Sequence, residues 1–128
     1  MDETKRMQYD ALRDGATYAL RLVPAIREIL PELRGEAKDD TDEFKNQIFE
    51  GINYIVEIVN GTLSLINEKE EILNRDGIEE KIQSLISAVD QEDPLAQADA
   101  LEQDILPFIE IFYQVANILV QKSEKNNQ

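Results

Sequence analysis

Asp39, Asp40, Asp42 and Glu43, with Glu50 beyond them, have the residue types of a calcium loop. An EF-hand also needs glycine at its sixth position for the sharp turn. Counted from Asp39 that position is Phe44, so the pattern fails and the cluster reads as a solvated helix start. The arginines are placed with more regularity. Arg6, Arg13, Arg27 and Arg34 lie at multiples of seven, Leu20 fills the missing place and Arg21 adjoins it. Five of the six arginines therefore form one ridge on a first helix. Flanking positions of a bundle seam commonly pair with acids on a neighbouring helix. The functional alternative is a docking strip for an acidic peptide or phosphorylated ligand, which the planar guanidinium fork suits.

A second acid run, Glu68, Glu70, Glu71, then Asp76, Glu79, Glu80, resembles the paired acids with which all-helical nucleotide pyrophosphohydrolases hold magnesium. That motif asks for a further acid three residues after each pair. Asn74 and Gln83 stand there instead, and no Glu-x-x-His for a di-iron site exists. No cofactor or metal is expected. The chain has no cysteine and no histidine, which removes thiolate and imidazole chemistry, disulfides and the usual zinc ligands.

The formal net charge is -14. It argues against nucleic acid and anionic membrane as partners, since both need a positive footprint. Residues 1–35 balance six acids against six bases, whereas residues 36–128 hold 21 acids and seven bases. The opening residues lack the apolar core of a signal peptide, and the longest apolar stretch, Ile105 to Val120, is broken by Pro107, Glu110, Gln114 and Asn117. A cytoplasmic protein is the expectation.

Residues 93–122 carry the most continuous apolar surface and set what must surround it. Asp93-Pro94 is a helix start. Leu101, Ile105, Phe108, Phe112, Val115 and Leu119 form one seam, and Leu106, Ile109, Tyr113, Ala116 and Val120 a second beside it. Two adjacent seams predict a helix gripped from two sides. Asp99, Gln103, Glu110, Gln114, Asn117 and Gln121, with Pro107, form its wet face.

Upstream, Tyr9, Leu12, Ala16, Ala19, Val23, Ile26, Leu30 and Leu33 predict a bundle helix over Thr4 to Arg34 with a small-residue waist at Gly15, Ala16 and Ala19. Pro24 and Pro31 lie on its outer face, where they would bend or divide it. Gly35 is the expected cap. A second helix runs from Asp40 or Thr41 to about Arg75, crossing Gly51 and Gly61 at about 1 kcal/mol each relative to Ala. Asp76-Gly77 ends it. Ile78, Ile82, Leu85, Ile86 and Val89 mark a third helix of only about 20 Å, against more than 40 Å for the others.

The expected fold is all-α: one domain over 1–128, a mostly antiparallel four-helix bundle with a short third helix. Leu20, Ile58, Leu65, Ile72, Ile111 and Ile118 fall outside the main seams. Ile58, Leu65 and Ile72, seven apart, predict a surplus seam on the second helix beside a groove that the short third helix leaves without a fourth wall. Surplus apolar faces of this kind mean either broad burial beneath the connections or an interaction surface, the latter covered by a second copy or a partner helix.

Gly51-Ile52-Asn53-Tyr54-Ile55, together with the stretch from Leu95 to Pro107 (LAQADALEQDILP), resembles an uncharacterised helical domain family typical of Gram-positive bacteria. The likeness spans about two-thirds of the chain and brings no catalytic or ligand residues. The functional expectation is a non-enzymatic interaction module, an adaptor or chaperone-like binder of a partner helix, possibly self-associating as a homodimer. Arg6, Arg13, Arg27, Arg34, Ile58, Leu65 and Ile72 are its candidate partner-binding residues. The alternative is a small magnesium-carboxylate enzyme acting on a phosphorylated small molecule.

Overall fold

The computed structural model describes residues 2–126, so the outermost positions of the expected 1–128 domain lie outside the described residues. Five helical elements surround a single core: α1 (Glu3–Leu33), α2 (Thr41–Ile66), α3 (Arg75–Asp90), α4 (Pro94–Ala100) and α5 (Leu106–Asn126). A π turn (Leu101–Ile105) joins α4 to α5 without a break, so the bundle has four helical rods. There is no strand among the described residues.

Asp2 starts α1 by accepting from the Lys5 amide at 2.7 Å. The helix runs undivided through Pro24 and Pro31, whose rings lie on its exposed face. Gly35, at φ 111°, ends it, and the Glu36 amide donates back to the Pro31 carbonyl. This left-handed cap is where a residue without Cβ is favoured. A buried latch then turns the chain into α2. The Thr41 hydroxyl donates to the Glu32 carboxylate at 2.8 Å and accepts from the Lys38 amide at 2.7 Å.

α2 stops at Ile66, well short of Arg75, because Asn67 organises a loop in place of two further helical turns. Its side-chain oxygen accepts from the amides of Ile72 and Leu73, and its amide group donates to the Leu73 carbonyl. Leu73 reaches the core from this loop, at the position where a continued helix would also have placed an apolar residue. Asn74 then caps α3 through the Gly77 amide at 2.9 Å, so α3 begins at Arg75 and not at Ile78. With 16 residues against 26, α3 is about 24 Å long beside about 39 Å for α2.

The last rod is not a uniform α-helix. In its π turn the Leu106 amide donates to the Leu101 carbonyl, five residues back. Pro107 follows at once. Proline has no amide to donate and its ring presses on the carbonyl four residues earlier. A widened turn just before it relieves both problems.

The packing also revises which helix is central. α1 lies along α5 on one side and α2 on the other, while α2 and α5 meet only sparingly. Phe112 of α5, fully buried, lies against Gly15 of α1, where Ile58 of α2 also arrives. A Cβ on Gly15 would stand 2.8 Å from its Cζ and 3.1 Å from Ile58 Cδ1, so the waist of α1 is cut to admit this ring. Gly51 plays the corresponding part on α2, where a Cβ would collide with the Tyr18 hydroxyl. α3 leans on α4 and the π turn and does not pack closely against α2.

Candidate functional site

The arginine ridge is largely occupied within the molecule. Arg13 pairs with Glu124 at 3.2 Å and with Asp10 at 3.2 Å, and Arg27 pairs with Glu110. Arg34 bridges Asp99 at 3.1 Å and Glu102 at 3.0 Å. Arg13 and Arg27 are fourteen residues apart, as are Glu110 and Glu124, so the ridge fixes the antiparallel register of α1 on α5. Hydrogen bonds to Glu102 and then Asp99 push the Arg34 pKa further up, so its charge is permanent. Arg21 lies 5.5 Å over the Tyr18 ring, which meets Tyr54 edge-on at 5.2 Å. Of the four candidate arginines, only Arg6 makes no ion pair among the described residues. The ridge is thus an intramolecular clasp along most of its length.

The apolar candidates separate. Ile58 is 8% exposed and Leu65 3%, so both belong to the core and do not form a surplus seam. Ile72, 43% exposed, lies in the loop after α2 and shares no helix with them. The fourth wall that α3 leaves missing comes from this loop. Leu65, Ile72, Tyr9, Leu119 and Ile118 line a recess of about 350 Å³ beneath it. Leu20 and Ile111 are exposed as expected, singly and on outer faces, and Ile118 is exposed at the edge of that recess.

An open apolar groove lies elsewhere, between α2 and α3. Phe49, Ile52 and Val56 on one wall face Ile82, Leu85, Ile86 and Val89 on the other across a groove of about 260 Å³, with Asn53 its single polar lining residue. Ile52 and Leu85 are buried at its floor, and Ile86 stands 43% exposed at its lip. Phe49 to Val56 is a step of seven, as is Ile82 to Val89, so each wall is two helical turns and about 11 Å long. These matched rows were visible in the sequence. Without the packing, however, nothing distinguished them from a seam that folding closes.

The acid runs build no centre. Among the described residues no group of three or more acids stands close enough to hold a metal ion. Glu32, the one buried carboxylate among the described residues, is engaged with Thr41. No described helix is long and apolar enough to cross a membrane.

Fold and surface define an all-helical bundle with an apolar groove between its second and third helices. The chain belongs to the family described as Domain of unknown function (DUF8042), whose model matches residues 10–115. The matched stretch contains both walls of the groove. No curated protein and no solved structure matches the chain.

Proposed function

We propose that this protein is a non-enzymatic interaction module in which α1, α5 and their clasp form a rigid frame that presents the α2–α3 groove to a partner protein. The observation that carries this reading is the groove itself: two facing apolar rows of equal length, floored by core residues and open to solvent. Helix-in-groove recognition uses such a surface, with partner side chains at i, i+3 or i+4 and i+7 as anchors. We read the protein as bacterial and cytoplasmic, a reading supported by the family resemblance carried by Gly51–Ile55 and Leu95–Pro107.

A photoreactive amino acid at position 86 tests the module reading in the cells that make the protein. A cross-link to any protein chain, a second copy included, is expected. The same probe at Gln114, on the exposed face of α5, serves as the control. No cross-link from position 86, or equal labelling from both positions, would overturn the reading.

A further inference from the structure

The charge around the groove identifies the chemistry of its occupant. On α2, Glu50 and Glu57 lie beside the Phe49–Val56 row on its solvent side, and on α3, Glu79 and Asp90 lie beside Ile82–Val89 in the same way. All four are exposed, and none has an ion-pair partner among the described residues. Of the bases nearby, Lys81 adjoins Ile82, half-buried and without an ion pair among the described residues, and two others stand at the ends. Lys45, one turn above Phe49, is committed to Asp42 at 3.7 Å, and Arg75 lies seven residues below Ile82 at the foot of the groove. The groove is therefore an apolar slot about two helical turns long, with four unpaired carboxylates against one unpaired lysine beside its rows.

We infer that the groove takes a basic amphipathic helix of another protein, with about two turns of apolar anchors in the slot and lysines or arginines against Glu50, Glu57, Glu79 and Asp90. This rests on the reading of the protein as an interaction module and assigns the partner's chemistry. A second copy of the chain is disfavoured because it would bring an equally acidic rim against this one, and like charges placed together select against a pairing. An acidic partner meets the same repulsion. The arginines that could have received one are engaged with α5 and the start of the last rod.

The test uses the whole protein and two synthetic helical peptides, both with leucines at i, i+3, i+4 and i+7, one with lysines and one with glutamates on the polar face. Fluorescence anisotropy at moderate salt is expected to show binding of the lysine peptide and none of the glutamate peptide. An acidic protein could attract a basic peptide without any groove, so Ile86→Glu decides. It adds a carboxylate, which would strengthen indiscriminate attraction, but places it in the apolar slot. At least a tenfold weakening is expected, while Ile111→Glu, the same change at an exposed isoleucine on α5, leaves affinity within twofold. Unchanged or tighter binding by Ile86→Glu, equal binding of the glutamate peptide, or no binding of either peptide overturns the inference. A cross-link from position 86 to an acidic segment, or to a second copy, would likewise overturn it while leaving the module reading intact.

Discussion

The α1–α5 seam and the α2–α3 groove are built from the same kind of heptad rows, yet one is closed and the other open. Along α1 and α5, the apolar rows are flanked by arginines on one helix and acids on the other, and the pairs hold the two in register. Along α2 and α3, the flanks are acidic on both sides, and α3 rests instead on α4 and the π turn. Apolar periodicity thus supplies the surface, while the flanking charges and the connecting loops decide whether folding closes it. Exposed ion pairs contribute little free energy individually, so the clasp acts mainly on register. Most of the stability of the closed seam comes from burying Phe108, Ile109, Phe112 and Ala116.

The largest effect that would break this contrast lies in the closed seam. Phe112→Ala should cost about 3 to 5 kcal/mol in chemical denaturation, since the ring fills the meeting point of three helices. Gln114→Ala, on the wet face two residues on, should cost under about 0.5 kcal/mol. Equal losses would mean the faces of α5 are wrongly assigned. Gly15→Ala comes next. It should lower stability by up to about 2 kcal/mol, the overpacking against Phe112 outweighing the gain in helix propensity. Gly61→Ala, in the open on α2, should instead raise stability by about 0.5 to 1 kcal/mol. The smallest effect belongs to the clasp. Arg34→Gln should lower the melting temperature at low salt and lose most of that difference in molar salt, because exposed pairs are screened. A deficit that persists in salt would make Arg34 a packing residue.

Much of the fold could be read from spacing. The seams of α1 and α5, the Gly35 cap, the Asp93-Pro94 start and the short third helix all follow from residue type and period. The end of α2 did not, and the reason is physical. Glu68 to Glu71 are good helix formers, and Leu73 falls seven residues after Ile66, so the helical pattern continues where the backbone does not. Asn67, by bonding Ile72 and Leu73 locally, gives the chain a competing structure that periodicity cannot register. The same gap misplaced the open surface. Ile58 and Leu65 have the spacing of a surplus seam, yet Ile58 meets the Gly15–Phe112 contact and Leu65 lies under the 67–74 loop. The arginine ridge was visible as a ridge. Its register on Glu110 and Glu124 required knowing that the last rod runs antiparallel beside α1.

That the α2–α3 groove is a formed surface facing solvent, and not a seam buried in folding, is tested most directly by the denaturation midpoint of Ile86→Glu. An exposed position at the lip tolerates a carboxylate, so stability within about 0.5 kcal/mol of the wild type is expected. A loss of about 3 kcal/mol or more, the size expected for an unpaired charge forced into a closed interior, would show that α3 sinks onto α2 in solution and that no groove exists there.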